Sequence, residues 1–407
     1  MSTTSSSTNV ESTQDNTSAF YSFEPSSKTS SLLGRIENGM RNTSNTHKIL
    51  ISRDIGEEAL QILEQERSDL RVHLQIWSEP NPADRSWLLQ NVKGATGLLV
   101  TLFEKVDEEL LEAAGPSLKV VSTMSVGYDH ISLPAVAKRG IVLGYTPDVL
   151  TEADDRRIDW YNLVADICIM LALMASRNAR IGINLVQNGE WPKAPWSPFL
   201  FCGPQLSATS VPSGTQPSKV AGFLGFGRIA QATVRRLEAF GLKNFIYSTS
   251  NSPNLNTEPE SKVLDFSQSS QIPVSLATLA AHSDVLFILA PHNSSTHHII
   301  SKDFLKRMKT TAVLVNASRG ALVDSDALAT ALKEGQIFAA GLDVVEGEPF
   351  VLQDHPLIRE QNCVIIPHIG SATTETRVAM ATLAARNLLQ GLLGEPLEAG
   401  VDLSKYT

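Results

Sequence analysis

Short apolar runs alternate with stretches of helical periodicity along most of this chain, and that alternation limits the folds open to it. The first series of runs is 48–52, 72–76, 97–101 and 119–123, with a helix predicted over 57–66. A second series covers 220–225, 245–248, 285–290, 312–316, 339–343 and 363–366. Runs of this length read as strands, and strands separated by helices build a parallel sheet covered on both faces. With 407 residues and roughly 100–200 residues per domain, the two series predict an α/β chain of two doubly wound, Rossmann-like domains with a cleft between them. No close sequence repeat links the series. Such sheets bind ligands beyond the carboxyl ends of their strands, so the residues just past each run are where chemistry is to be sought.

Composition narrows the partners. Hydrophobic residues make up 42% of the chain and charged residues 19%, enough for a buried core in most of it. The net charge of −9 repels phosphate backbones and argues against a nucleic-acid partner. An anionic substrate would then need a local cation, and Arg319 is available. Cys168, Cys202 and Cys363 are scattered without metal-ligand spacing, as in a reducing compartment. Cys363 opens an apolar run and reads as core, not as a nucleophile. His292, His297 and His298 lack carboxylate or cysteine partners at usable spacing, so no metal is expected there. The apolar run 167–175 is far shorter than the ~20 residues of a membrane span and reads as a buried helix. Residues 1–46 are Ser-, Thr- and Asn-rich and are expected to be disordered. Glu11, Asp15 and Glu24 precede the first arginine, Arg35, unlike a transit peptide. The expected location is cytoplasmic.

The run 220–225 leads directly into Gly225-Phe226-Gly227-Arg228-Ile229-Ala230, a GxGxxA turn with a strand before it and a helix after it. That context is what a dinucleotide fingerprint requires. Gly225 permits the tight turn, Gly227 lets the backbone approach a pyrophosphate, and Ala230 allows close helix–strand packing. Arg228 and Ile229 open the helix whose N-terminus would face the phosphates. Ile229, Ala232, Leu237 and Phe240 mark its apolar face, Gly241 stops it, and Arg235 and Arg236 read as a solvated face. The acidic residue expected after the next strand is replaced by Ser248, Thr249 and Ser250. A carboxylate there would repel a 2′-phosphate and hydroxyls do not, so NADP(H) is favoured over NAD(H).

Asn316-Ala317-Ser318-Arg319-Gly320, Asp343-Val344-Val345-Glu346-Gly347-Glu348-Pro349 and Pro367-His368-Ile369-Gly370 each follow a strand. With these segments, the Ser122–His130 stretch STMSVGYDH and Gly144-Tyr145-Thr146-Pro147-Asp148, the chain resembles the D-2-hydroxyacid dehydrogenase family over about residues 48–400. Within it, the glyoxylate/hydroxypyruvate reductases are the most similar. The resemblance implies a flavodoxin-like substrate domain (47–150 plus about 372–407) and an NAD(P)-binding Rossmann domain (151–371). It implies reduction of a small 2-oxo acid to the D-2-hydroxy acid. Arg319 would bind the substrate carboxylate and polarise its carbonyl, since a guanidinium stays charged and donates two hydrogen bonds. His368 would protonate the carbonyl oxygen, and Glu348 would hydrogen-bond His368 and favour its charged form. The N–H groups of Val126 and Gly127 would receive the carboxylate, Leu102 would cap the substrate, and Asp343 would orient the nicotinamide carboxamide. Pro291, Ala317 and Gly370 would line the cofactor. Trp196 matches a tryptophan that reaches a neighbouring subunit's active site, in keeping with a homodimer.

The chain also departs from the family pattern. Ala290-Pro291-His292-Asn293-Ser294 stands where Pro-Leu-Thr is usual, and Phe103 adds bulk beside Leu102. The stretch 207–218 reads as a surface loop. The charged, aromatic stretch 154–163 interrupts an otherwise smooth passage and reads as an added loop that bulges out, disturbs closure or is a retained intron. Other 2-oxo acids, an NAD(H)-sensing corepressor and an inactive paralogue are the alternative readings.

Overall fold

The computed structural model describes residues 46–65, 71–147, 149–150, 157–158, 160–207, 219–252, 264, 266–267 and 269–406. The tail expected over 1–46 lies outside them except for its last residue, as do 208–218 and, of the stretch 154–163, residues 154–156 and 159. Two compact units are present. The first comprises residues up to Thr123, then 133–144 and 384–407; the second comprises 124–132 and 145–383.

The first unit holds β1 (Thr46–Ile51), β2 (Arg71–Ile76), β3 (Gly97–Val100), β4 (Val120–Thr123) and β5 (Val142–Gly144), all parallel, in the order β2-β1-β3-β4-β5. This is the flavodoxin-like order, with its reversal between β1 and β3. Helices α1 (Glu57–Gln65), α2 (Arg85–Asn91), α3 (Glu108–Ala114) and α4 (Leu133–Lys138) connect the strands. Just past β1 and β3, the buried Glu104 accepts hydrogen bonds from the Ser52 hydroxyl (2.9 Å) and from the Thr101 amide (2.8 Å) and hydroxyl (2.7 Å). Leu102 lies half-buried in that turn.

In the second unit, a short antiparallel ribbon pairs β6 (Val149–Leu150) with β7 (Arg157–Ile158). The helices α5 (Trp160–Ser176) and α6 (Ala179–Gln187) follow. The stretch 154–163 is therefore not simply an added loop: residues 157–158 are paired and 160–163 form the first turn of α5. The main sheet contains β8 (Val220–Leu224), β9 (Asn244–Ser248), β10 (Gln271–Pro273), β11 (Val285–Ile288), β12 (Val313–Asn316), β13 (Ala339–Leu342) and β14 (Cys363–Ile365). Their order is β10-β9-β8-β11-β12-β13-β14, all parallel, with the reversal between β8 and β11. Around it lie α7 (Arg228–Ala239), α8 (Leu276–His282), α9 (Lys302–Arg307), α10 (Ser325–Lys333) and α11 (Pro356–Arg359), while α12 (Thr374–Leu393) begins in this unit and ends in the first.

The strands alternate their side chains between two apolar layers. Leu286, Ile288 and Leu314 enter one, while Val285, Phe287 and Val315 enter the other with Phe223 and Phe245. Burial of both faces is why these strands read as continuous apolar runs. Helix α5 belongs to the second layer through Cys168, Leu171 and Ala175. It lies close to β13: a β-carbon on Gly341 would fall 2.8 Å from that of Leu171. Its Asp166 accepts from Arg236 Nε at 2.6 Å, and Asn162 accepts from the same guanidinium at 3.2 Å. Arg236 therefore joins α7 to α5 and is not part of a free solvated face; Arg235 is exposed. No single helix among the described residues is long and apolar enough to cross a membrane.

Candidate active site

Gly225 and Ala290 lie just past the two strands that flank the sheet's reversal point. Gly225 adopts φ +87°, and its amide donates to Ser248 O at 2.8 Å. A β-carbon there would fall 2.7 Å from the Ala290 amide nitrogen, so both the turn and the close approach require glycine. Gly227 differs: a β-carbon would meet nothing within 4 Å. It caps α7 without any side-chain hydrogen bond, leaving a helix N-terminus facing open space. Ala230 is fully buried beneath that turn. Arg228 lies with its guanidinium 5.6 Å from the Tyr161 ring centre, and Ile229 is half-buried. After β9, Ser248 is buried and its hydroxyl has no hydrogen-bond partner; the Thr249 amide donates to Ser252 Oγ at 2.9 Å, and Ser250 is exposed. These features fit a dinucleotide: a turn that excludes side chains, an uncapped helix end and a hydroxyl-lined strand end.

The ends of the adjacent strands β12, β13 and β14 carry Arg319, Asp343 with Glu348, and His368. His368 Nδ1 lies 2.9 Å from Glu348 Oε1, both side chains about one-fifth exposed. The His368 backbone is left-handed, at φ +53°. Such a conformation costs roughly 1–3 kcal/mol in a non-glycine residue and persists when the surroundings enforce it. Here Asp343 does so. Its carbonyl accepts the His368 amide at 2.8 Å, and its buried carboxylate accepts the amides of Ile369 (2.7 Å) and Gly370 (2.9 Å). Burial pushes the Asp343 carboxyl above its ordinary range, against these hydrogen bonds and the His368 charge. As placed, then, Asp343 shapes the turn that presents His368.

Arg319 is held between two loops. Its Nε donates to Asp129 Oδ1 at 3.0 Å, and Nη1 donates to Ser318 O at 2.9 Å. Its other terminal nitrogen lies over Gly127, where a β-carbon would fall only 1.9 Å from it. Burial raises the Asp129 carboxyl, but the Arg319 charge and hydrogen bond outweigh it and hold the group below its usual range. Val126 and Gly127 are half-buried beside this guanidinium's loop, and Ala317 and Pro291 follow β12 and β11.

The model of the D-isomer specific 2-hydroxyacid dehydrogenase NAD-binding domain matches residues 169–370. A mouse (Mus musculus) glyoxylate reductase/hydroxypyruvate reductase is 42% identical over 327 residues, covering 80% of this chain and 90% of the relative. The chain belongs to the D-isomer specific 2-hydroxyacid dehydrogenase family. Among solved structures, a glyoxylate reductase from Paecilomyes thermophila superposes with TM-score 0.69 at 30% identity, over 89% of this chain and 100% of that one. An NADPH-dependent glyoxylate/hydroxypyruvate reductase from Sinorhizobium meliloti, in complex with NADP and malonate, gives TM-score 0.65 at 30% identity, over 89% and 98%. Like the rest of its family, the chain is an NAD(P)-dependent oxidoreductase with an NAD-binding domain.

Trp196 is 85% exposed, in a segment following α6. Leu102 lies in the first unit. Two partners escaped sequence reasoning. Asp129, within the STMSVGYDH stretch, had no role assigned. Glu346 supplies His298 with the carboxylate its sequence neighbourhood lacks: Nε2 lies 2.6 Å from Oε1. His297 stacks on His298 with ring centres 4.0 Å apart, and His292 meets His297 edge-on at 5.7 Å. Among the described residues, no group of three or more His, Cys, Asp or Glu side chains is placed to hold a metal. Burial drives the Cys363 thiol up to about 12, consistent with a core residue.

Proposed function

We propose that this chain reduces glyoxylate and hydroxypyruvate to their D-2-hydroxy acids, with NADPH preferred over NADH. The reading is carried by the His368–Glu348 pair at 2.9 Å, at the end of a strand two places from the one bearing Arg319. A nicotinamide cofactor, held by the Gly225–Ala230 turn and the N-terminus of α7, supplies the hydride. Arg319 binds the substrate carboxylate and draws charge from its carbonyl, with the Val126 and Gly127 amides completing the anion seat. His368 gives its proton to the carbonyl oxygen, and Glu348 holds the ring at Nδ1 so that Nε2 faces the substrate. Asp343 presents His368 through the two amides it accepts. Ser248, Thr249 and Ser250 offer hydroxyls and no carboxylate at the ribose, which favours a 2′-phosphate. The apolar side chains exposed on α6 and after it, Val186 (53%), Trp196 (85%) and Phe199 (87%), support a homodimer through this face.

Initial rates with NADPH and NADH against glyoxylate, hydroxypyruvate and pyruvate test the reading, with sedimentation velocity on the same preparation. Rapid turnover of the first two acids with NADPH is expected, from a species of twice the chain mass. His368→Ala should lose most turnover while still binding NADPH. Equal rates with both cofactors would defeat the NADP assignment, and a sedimenting monomer the dimer.

A further inference from the structure

Glu346 and His298 lie outside the machinery assigned above, yet they join the three loops that carry it. Glu346 sits two residues before Glu348 in the turn after β13. Its Oε1 lies 2.6 Å from His298 Nε2, and its Oε2 accepts the Ser325 amide at 3.2 Å, at the start of α10. His298 is itself anchored: its backbone is left-handed at φ +50°, and its amide donates to Ala321 O at 2.9 Å. Ala321 and Ser325 lie in the segment that begins with Arg319. One carboxylate therefore binds the turn bearing Glu348 to the segment bearing Arg319 and to the loop following Pro291.

The joint matters because of what lies next to it. Gly347, between Glu346 and Glu348, has φ +81° and nothing within 4 Å of where a β-carbon would stand. Glycine in open space is the softest link in a chain. The Glu348 carboxylate is otherwise tied within its own turn only by the Val345 amide, at a long 3.4 Å. The turn meets the Arg319 segment at Gly320, where a β-carbon would fall 2.1 Å from Val345 C. That contact prevents approach but does not prevent separation. Val345 shares a buried apolar cluster with Leu322 and Val323 of that segment, and the Glu346 carboxylate adds two directional links.

We propose that Glu346 and His298 are positioning residues, a clasp that holds the Glu348 turn so that Glu348 can support His368. This rests on the acid role of His368 proposed above. Neither residue touches the reacting atoms; both act through the placement of Glu348.

The test compares Glu346→Ala, Glu346→Gln and His298→Ala with the intact enzyme, with His368→Ala alongside. Each variant is first shown to be folded by thermal denaturation and by NADPH binding. Misplacing a catalytic group by about 1 Å costs up to ~100-fold, and a loosened turn should cost less: kcat for glyoxylate falls about tenfold in Glu346→Ala and in His298→Ala. KM for NADPH stays within about twofold, because the α7 turn is untouched. The primary isotope effect with cofactor deuterated at the transferred position rises as the chemical step becomes limiting. Glu346→Gln, whose amide oxygen can accept from the Ser325 amide while its NH2 donates to a neutral His298 Nε2, recovers most of the loss. Folded Glu346→Ala and His298→Ala with unchanged kcat and isotope effect overturn the clasp, even if both melt earlier. Should Glu346→Ala fail to fold, His298→Ala decides alone. Wild-type turnover in His368→Ala would instead remove the acid assignment on which the clasp depends.

Discussion

A single methyl group placed on Gly127 should disable the enzyme without unfolding it. The added β-carbon would stand 1.9 Å from the Arg319 terminal nitrogen and 3.0 Å from the guanidinium carbon. Non-bonded heavy atoms settle at about 3.5 Å or beyond, so the guanidinium must withdraw by roughly 1.5 Å. The obstacle is the end of a long side chain and not backbone, so the fold has an inexpensive way to yield. Stability should change by less than about 1 kcal/mol. Catalysis has no such freedom. A displacement beyond ~1 Å at a substrate-orienting group costs on the order of 100-fold, which corresponds to about 2.7 kcal/mol of transition-state stabilisation. The 3.0 Å bond from Arg319 Nε to Asp129 would lengthen as well. Steady-state kinetics with glyoxylate should show kcat/KM reduced about 100-fold in Gly127→Ala, with the loss shared between kcat and KM, and a nearly unchanged melting temperature. Arg319→Ala should lose at least as much, and the double variant no more than Arg319→Ala alone, because both substitutions act through one guanidinium. Full activity in Gly127→Ala, or losses that multiply in the double variant, would refute the placement of Arg319 over Gly127.

Gly225→Ala should behave in the opposite way. Its β-carbon would meet the Ala290 backbone at 2.7–2.8 Å, at φ +87°. Backbone cannot step aside, and overpacking of this kind typically costs about 1–3 kcal/mol; a lower melting temperature and weaker NADPH binding are expected, and an unaltered melt would contradict the turn geometry. Asp129 supplies a pH dependence. Partial desolvation raises its folded carboxyl, about two-fifths exposed, but the Arg319 charge and hydrogen bond hold it below the ordinary range. A depressed carboxyl contributes stability above its unfolded value, about 3.9, and loses it as pH falls through the lower folded value. Denaturant unfolding of Asp129→Asn should show reduced stability at pH 7 and a shallower decline on acidification below about pH 4. Identical acid limbs in the two proteins would show that the pair carries no stability.

Most of the fold could be read from the chain because its strands are buried on both faces and must be apolar throughout. The strands that escaped are those for which this demand lapses. β10 is Gln271-Ile272-Pro273, an edge strand paired only to β9, where proline is tolerated and two of three residues are exposed. β5 spans three residues, too few to display a pattern. The first turn of α5 was hidden for another reason. Its residues Trp160–Leu163 follow a run of charge, and what makes them helical is docking on α7, where Asn162 and Asp166 receive Arg236 across 74 and 70 positions of sequence.

The site divides along the same line. Arg319, Glu348 and His368 each stand just past a strand, so their segments could be recognised singly. The Glu348–His368 pair is expected from them as well, but what holds Arg319 and the Glu348 turn is not. Arg319 relies on Asp129 across 190 positions, and the turn of Glu348 on His298 across 48. Asp343 is the instructive case. The family resemblance implies that it orients the nicotinamide carboxamide, and in the structure its buried carboxylate accepts two backbone amides beside His368. Removing such an acceptor would leave the buried Gly370 amide unpaired, at about 1–3 kcal/mol, together with the more exposed Ile369 amide, and would free the strained histidine backbone to relax. A carboxylate can thus serve the reaction by presenting a histidine as well as by meeting a ligand. Sequence cannot separate the two roles, because both call for an acid at the same strand end.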